Sequence, residues 1–454
     1  MTTLYSARWV LPISTGMIEH GAVAVEGTRI VGVGPRQMLL ARFPEADIKD
    51  FNEAAILPGF VNTHSHLELT AMRGFLEDVE GDFFAWLKKL TVARLERMTP
   101  DDLYISAAWG AVEAARAGVT CLGDASDTAS APLRALERVG LRGTVYQEGF
   151  GPDPKLAQEH FEKLREKIFK LREYESPRVR LGVSPHSPYT VSALQLELIA
   201  DFAISERLPL MMHAAESRSE EQFLREGSGP FAEGLARRGI EWNAPGVSTI
   251  QYLKRLGVLR TRPLLAHCIR VDDADMDAIK EAGASVAHCP KSNAKLGHGR
   301  APFAAFIEHG LKVGLGSDSV ASNNTCDMLE EARFSVLTSR TTLDQASSKR
   351  MLDANDALFA ATLGGARALG LDDQTGALRE GLEADLTVIA LDGAHQIPVY
   401  DPAHALVFSS TGRDVLLTVA AGTEVFRAGS ITTIDEAQLR ARMSEIRQAV
   451  MSDK

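Results

Sequence analysis

The central part of this 454-residue chain alternates short apolar runs with longer amphipathic segments of helical length. Such an alternation favours a parallel sheet with crossover helices. Eight runs spread over roughly 260 residues from Ile56 onward predict a (β/α)8 barrel. The alternative is an open doubly wound sheet, which usually has fewer strands, and no GxGxxG sequence follows the first run. The runs are ILPGFVNTH, VTCLGD, GTVYQEG, VRLGVSPH, PLMMHAA, PLLAHC, SVAHCP and KVGLGSD.

The two ends of the chain show a different pattern. Short valine- and isoleucine-rich runs, such as Ala22–Glu26 and Ala384–Ile389, alternate with glycine and proline turns, as is typical of short strands. We therefore expect residues 1–57 and 371–454 to flank a barrel of residues 58–370, with a helix at the end of the chain.

Composition excludes several classes of protein. The net charge is -11, from 60 acidic and 49 basic side chains, which argues against a nucleic-acid partner because such proteins need a basic surface. We find no apolar run of the roughly 18 residues that a membrane span requires, and the first twenty residues lack a signal-peptide pattern. These features predict a cytoplasmic protein. Its four cysteines form no CxxC pair, so we expect neither a disulfide framework nor a thiolate zinc site.

Histidine and aspartate residues collect where the predicted strands end. In a (β/α)8 barrel the active site is built at the carboxyl ends of the strands, from several strands at once. This placement is the strongest sequence evidence for an enzyme active site. The residues are His64 and His66 on the first strand, His186 after the fourth, His213 on the fifth, His267 on the sixth and Asp318 after the eighth.

The pair His64-x-His66 is suited to binding a metal ion, because residues i and i+2 of a strand point the same way. Alone, an HxH sequence is more often two hydrogen-bonded histidines. His213 and Asp318 would complete a site of three nitrogens and one carboxylate oxygen, which suits one Zn²⁺, or Fe²⁺, better than Mg²⁺. An ion held in this way can make water nucleophilic near neutral pH.

Two further residues are candidates for catalysis. Glu216 follows His213 by three positions and could take a proton from the attacking water and return it to the substrate; otherwise it is an exposed loop glutamate. His267 could hydrogen-bond the water or a developing oxyanion; otherwise it is a buried histidine beside Cys268.

These motifs together resemble the amidohydrolase superfamily, in its cytosine-deaminase-like (ATZ/TRZ) branch of adenosine-type, guanine and s-triazine hydrolases. The matching segments are Pro58–His66, Ser184–Tyr189, His213–Glu216, Ala266–Cys268, His288–Asn293 and Gly316–Ser319.

The resemblance implies a (β/α)8 barrel with a small β-sandwich assembled from both ends of the chain, and one metal ion held by His64, His66, His213 and Asp318. It also implies that Glu216 is the proton shuttle and that Asp318 accepts a proton as well as binding the metal. The order Ser184-Pro185-His186 stands where binuclear relatives carry a carboxylated lysine, so a second ion is not expected. Relatives of this kind are commonly homodimers or larger.

The implied reaction is the hydrolytic deamination of an aminopurine nucleoside. The sequences HLELT and FFAWL resemble the aminodeoxyfutalosine deaminases of a menaquinone route, which act on an adenine nucleoside that bears a benzoate. Alternatives are a deaminase of S-adenosylhomocysteine and methylthioadenosine, a guanine deaminase, or an s-triazine hydrolase. A relative that binds metal without catalysis would lack Glu216, His267 or Asp318, and all three are present.

Five residues are candidate substrate contacts. Trp86 could form an aromatic wall, although residues 82–90 also fit an amphipathic helix that packs on the barrel. Arg73 could pair with a substrate carboxylate, or be an ordinary surface arginine. Glu148 is placed for ribose hydroxyls, His186 for a ring nitrogen or ribose, and Ser319 lies beside Asp318.

Overall fold

The computed structural model describes residues 1–341 and 351–451, in which the strands form a composite terminal sheet and a central barrel. The chain begins with β1 (Thr2–Val10), β2 (Ile18–Glu26), β3 (Arg29–Pro35), β4 (Asp47–Asp50) and β5 (Ala54–Pro58). The barrel strands are β6 (Phe60–Ser65), β7 (Val119–Ser126), β8 (Arg142–Gly149), β9 (Val179–Pro185), β10 (Met211–Ala214), β11 (Leu264–His267), β12 (Ser285–His288) and β13 (Lys312–Leu315). The last strands are β14 (Leu386–Ala390), β15 (Val415–Ala420), β16 (Thr423–Arg427) and β17 (Ser430–Ile431).

Most of the described helices lie between the barrel strands in the chain. Those up to β10 are α1 (Arg36–Arg42), α2 (Phe83–Arg97), α3 (Pro100–Arg116), α4 (Ser130–Val139), α5 (Ala157–Leu171) and α6 (Ala193–Glu206). Between β10 and β13 lie α7 (Arg218–Glu226), α8 (Gly229–Arg237), α9 (Thr249–Arg255), α10 (Asp273–Ala282), α11 (Pro290–Lys295) and α12 (Phe303–Glu308). The remainder are α13 (Val320–Asn323), α14 (Met328–Arg340), α15 (Ala354–Ala360), α16 (Leu363–Leu369), α17 (Pro402–Phe408) and α18 (Glu436–Met451). Helices α1, α17 and α18 lie among the strands of the terminal sheet or after them.

Local sequence explains where these helices begin. Helix α3 starts with a capping box, in which the Thr99 hydroxyl accepts from the backbone N–H of Asp102 and the Asp102 carboxylate accepts from that of Thr99. Pro100 lies in the first turn, where a backbone N–H has no hydrogen-bond partner within the helix, so the missing N–H of proline costs nothing. Gly118, just after the helix, has a φ of 82°, which a glycine adopts without strain.

The eight parallel strands close into the predicted barrel. Strands β6 to β9 pair in order, as do β10 to β13. Parallel bridges from Val183 to Leu210 and from Ser65 to Asp318 join the two halves. Asp318 is therefore tied to the end of β6, the strand that carries His64 and His66, by the closure of the barrel itself.

Helix α16 covers the beginning of the barrel strands. Its Gly365 approaches β6 closely, since a Cβ there would lie 3.0 Å from the side chain of Val61. Ala366 and Leu369 join Val61, Tyr146 and other residues in one buried apolar cluster. Because this end is filled, the carboxyl ends of the strands form the open end.

The two ends of the chain meet in one composite domain, as the resemblance implied, and its strands pair in a single nine-stranded sheet. Strand β5 pairs antiparallel with β14, with Pro58 opposite Leu386, and thereby joins β1 to β4 with β15 to β17. The buried Arg142 at the start of β8 binds Asp385 at 3.0 Å, which ties this sheet to the barrel. None of the helices within residues 1–341 and 351–451 is long and apolar enough to cross a membrane.

Candidate metal centre and active-site cavity

The metal-ligand candidates predicted from the sequence lie together at the open end of the barrel. The Nε2 atoms of His64 and His66 lie 3.3 and 3.4 Å from Asp318 Oδ1. His66 Nε2 lies 3.2 Å from His213 Nε2. Ligand atoms of His64, His213, His267 and Asp318 all lie within 4.8 Å of one another. One ion could therefore reach donors from four different strand ends.

The hydrogen bonding of the imidazoles fits a cation at this point. His213 Nδ1 lies 3.0 Å from the backbone carbonyl oxygen of His186, which is an acceptor, so the ring proton lies on Nδ1. The Nε2 atom of the neutral ring then has a lone pair, which faces His66. Both ring nitrogens of His64 are buried without a hydrogen-bond partner among the described residues. Burial and the neighbouring His64 lower the pKa of His66 to about 3, so its ring is neutral. Neutral, unpartnered imidazoles are the form that ligates zinc.

Asp318 supplies the carboxylate of the cluster. Its Oδ2 accepts from Ser292 and Ser322, which leaves Oδ1 facing the histidines. Burial alone would raise the pKa of Asp318, but its contact with the adjacent His64 outweighs that effect and holds the pKa well below its usual range. The group is therefore ionised, which is the form that a carboxylate must have to bind a metal ion.

The backbone is strained where these side chains are presented. Ala215, His267, Cys268 and Asp318 all have positive φ angles, of 54°, 75°, 46° and 57°. Residues other than glycine rarely adopt this region, and such strain concentrates at functional sites, where surrounding contacts hold it. No periodicity in the sequence could have indicated these turns.

Glu216 and His267 stand beside the ligand cluster. His267 Nε2 lies 3.6 Å from Glu216 Oε1, and both side chains are at most 5% exposed. Burial, and then the charge of Asp318, raise the pKa of Glu216 well above its usual value. Burial and the nearby His64 lower the pKa of His267 to about 4. A buried carboxyl with a raised pKa is suited to exchanging a proton near neutral pH.

Glu220 is a positioning residue that the sequence reasoning missed. Its carboxylate accepts from the backbone N–H groups of Ala215 at 2.8 Å and Glu216 at 2.9 Å, and from the Thr249 hydroxyl at 2.7 Å. These bonds fix the turn that follows His213. A glutamate at the third position of the next helix was the available signal, but an exposed helix residue gives the same pattern.

The cluster lies in a cavity of about 570 Å³, within the range of small-molecule sites. Trp86, Glu148, His186 and Ser319 line it, as the substrate-contact predictions require. Arg73 does not: it pairs with Glu113 and lines a separate surface depression. The prediction for Arg73 failed to foresee this partner because Glu113 lies 40 residues further along the chain.

Glu148 is a buried acid of the cavity wall. Its Oε1 is buried and has no hydrogen-bond partner in the described part of the chain. Burial, followed by the charges of Glu68 and Asp127, raises its pKa well above the usual value. Arg94 already pairs with Asp127 at 2.7 Å and Glu68 at 3.6 Å. The sequence reasoning missed Arg94, Glu68 and Asp127, because only tertiary contact brings them to this wall.

A profile of the amidohydrolase family matches residues 55–425, and one of an imidazolonepropionase-like composite domain from bacteria matches residues 21–46. A 5-methylthioadenosine/S-adenosylhomocysteine deaminase of Nitratidesulfovibrio vulgaris is 33% identical over 96% of this chain and 94% of its own. The enzyme of that name from Symbiobacterium thermophilum is 32% identical over 96% of both chains. The crystal structure of an adenosine deaminase from Xanthomonas campestris, with bound zinc, is 27% identical over 99% of this chain and 98% of its own, with a TM-score of 0.84. The resemblance carried by the strand-end motifs is thus confirmed: the chain belongs to the amidohydrolase family.

Proposed function

We propose that the protein is a metal-dependent hydrolytic deaminase that replaces the exocyclic amine of an aminopurine nucleoside with oxygen and releases ammonia. The observation that carries the proposal is the convergence of the four ligand candidates with buried Glu216 and His267 at one end of a closed barrel. The ligand candidates are His64, His66, His213 and Asp318. The names of the relatives in two bacteria and of the adenosine deaminase structure support the same reaction class.

The donor set fits one Zn²⁺ ion, with Fe²⁺ as the second choice. His64, His66, His213 and Asp318 would hold it, and their imidazole and carboxylate donors are those that these borderline metals prefer. The bound zinc of the adenosine deaminase structure supports this choice. When bound, such an ion lowers the pKa of a water molecule and makes it a nucleophile near neutral pH.

The chain's own residues then move the protons. Glu216 takes a proton from the attacking water and delivers it to the ring nitrogen beside the attacked carbon, while the new carbon–oxygen bond forms. His267, whose Nδ1 proton is held by Asn293 Oδ1 at 2.8 Å, presents an Nε2 lone pair that accepts from the water. Asp318 takes the second water proton and passes it to the amine, so that the carbon–nitrogen bond breaks and ammonia leaves.

The cavity supports a nucleoside rather than a free base. Phe83 and Trp86 stack nearly parallel, at 18°, with centroids 6.1 Å apart, and both line the cavity, where they offer an aromatic surface. Glu148 offers a buried acceptor that is suited to the hydroxyls of a ribose. His186, whose Nδ1 lies 2.9 Å from Thr190 Oγ1, turns its other ring nitrogen away from that contact.

The finer proposal is a 6-aminopurine nucleoside with an extended group on its 5′ side. The HLELT and FFAWL sequences favour aminodeoxyfutalosine, whereas the names of the relatives favour methylthioadenosine and S-adenosylhomocysteine. A carboxylate on that group would need a cation. Arg238 lines the cavity and has no ion pair in the described ranges, so it takes the role that the sequence reasoning assigned to Arg73.

A substrate panel tests the proposal. Zinc-loaded protein is incubated with adenosine, methylthioadenosine, S-adenosylhomocysteine, aminodeoxyfutalosine, guanine and an s-triazine, and ammonia is measured. We expect turnover of adenine nucleosides with a higher kcat/KM than guanine. Turnover of the s-triazine alone would overturn the substrate class, and no ammonia from any aminopurine would overturn the deaminase proposal.

A further inference from the structure

A second imidazole approaches Glu216 from a loop that the family motifs do not include. His298 Nε2 lies 3.6 Å from Glu216 Oε1, and its side chain is only 7% exposed. The edge of its ring meets the face of Phe83, with centroids 4.5 Å apart and planes at 88°. His298 therefore lies between the wall of the cavity and the predicted proton shuttle, and the proposed reaction gives it no role.

A single turn of the chain positions both imidazoles that flank Glu216. After α11, Gly297 has a φ of 68°, and the chain reverses its direction there. In this turn the backbone N–H of His298 donates to the backbone carbonyl oxygen of Asn293 at 2.9 Å. The side chain of the same Asn293 holds His267. The position of His298 is thus built by the turn and coupled to that of His267.

The two imidazoles differ in what they can offer Glu216. In the neutral His267 ring the proton lies on Nδ1, because that atom faces the side-chain oxygen Oδ1 of Asn293, so Nε2 is an acceptor. His298 Nε2 is buried and has no hydrogen-bond partner among the described residues. The Nε2 atom of His298 can therefore carry the ring proton. A buried N–H without a hydrogen-bond partner lowers the stability of the fold, and Glu216 Oε1 is an acceptor close to this atom.

We propose that His298 is a positioning residue that donates from Nε2 to Glu216 Oε1 and so orients the carboxylate for proton transfer. The inference rests on the proposed function, in which Glu216 moves the proton. At 3.6 Å the contact is longer than a good hydrogen bond, and catalytic contacts commonly shorten when substrate is bound. The Tyr189 hydroxyl also stabilises the ionised form of Glu216, so the carboxylate has donors from two different loops.

Two variants separate orientation from packing. In His298→Gln the amide nitrogen can stand near the position of Nε2 and donate, whereas His298→Leu fills a similar volume without a donor. We expect the leucine variant to lose about 10- to 100-fold in kcat with KM within about twofold, and the glutamine variant to recover most of that loss. His309→Gln, a histidine of the α12 terminus outside the cavity, is the matched control and should keep wild-type rates.

Each other outcome has a definite meaning. Equal losses in both His298 variants would show that the imidazole only packs, and a rise in KM at unchanged kcat would make His298 a substrate contact; either result overturns the proposal. An inactive wild type would instead refute the proposed function. In that case a double-mutant cycle of His298→Leu with Glu216→Gln, read by urea unfolding, still decides: non-additive shifts of the midpoint support the contact, and additive shifts overturn it.

Discussion

Replacing Glu216 by glutamine removes the proposed proton shuttle and little else. Glutamine has the same shape but cannot accept and return a proton at neutral pH. Glu216 is not one of the four proposed ligands, which are His64, His66, His213 and Asp318, so the variant should keep its metal. Burial raises the pKa of Glu216 in the folded protein. In the metal-free protein the folded state therefore loses stability as the pH rises through that pKa, because the buried carboxyl becomes charged. Glutamine carries no charge and so removes this loss of stability. At pH 8 the metal-free variant should therefore have an unfolding temperature equal to or higher than that of the metal-free wild type.

The size of the effect follows from the surroundings of the carboxylate. General acid–base catalysis by a positioned side chain contributes about 10²- to 10⁴-fold, which is about 2.7 to 5.4 kcal/mol at 1.36 kcal/mol for each tenfold. Glu216 is 5% exposed, so bulk water is a poor substitute. Glu220 cannot replace it, because its oxygens already accept from Ala215, Glu216 and Thr249. We therefore expect a loss in kcat of about 10³-fold or more.

Ammonia release at saturating substrate measures kcat, and elemental analysis measures zinc. Glu221→Gln is the matched control, since Glu221 lies on α7 nearby, pairs with Arg225 and Arg270 at the surface, and does not line the cavity. A Glu216→Gln protein with full zinc and more than about a tenth of wild-type kcat would refute the shuttle, because that loss is below the smallest contribution of a positioned acid or base.

Three further predictions concern the metal and the substrate. Removal of the ion by a chelator, or the substitution His64→Asn, should abolish activity and lower the unfolding temperature. The physical reason is that a ligand at 100 times its Kd stabilises the folded state by about 2.7 kcal/mol. Added zinc should restore activity and unfolding temperature to the chelated wild type but not to the variant. Glu148→Leu should reduce kcat/KM for nucleosides by about 10-fold, because a buried ribose hydroxyl left without its acceptor costs about 1 to 3 kcal/mol, and should leave guanine turnover unchanged. Arg238→Gln should lower kcat/KM by about threefold to tenfold for carboxylate-bearing nucleosides but not for methylthioadenosine, whereas Arg73→Ala should affect neither; the reverse pattern would return the carboxylate contact to Arg73.

Much of the architecture could be predicted because it depends on local patterns. Each barrel strand is a short apolar run, and the residue that follows such a run must stand at its carboxyl end. This alone placed His64, His213, His267 and Asp318 at one end of a barrel without knowledge of any contact. The union of the two chain ends in one sheet came from family resemblance, since β5 and β14 are separated by the whole barrel. The domain boundaries, the cytoplasmic location and the homodimer stay predictions.

The sequence by itself determined the types of the candidate ligand residues, the strands that bear them and the end of the barrel where they meet, because all three follow from residues close together in the chain. Only the tertiary structure decided which side chains touch. Glu113 forms an ion pair with Arg73, and Asn293 fixes the tautomer of His267 through a hydrogen bond. His298 lies beside Glu216, from which it is separated by 82 positions in the sequence. These contacts depend on loop conformations and strained turns that join distant segments, and no periodicity encodes the distance between two atoms on different loops.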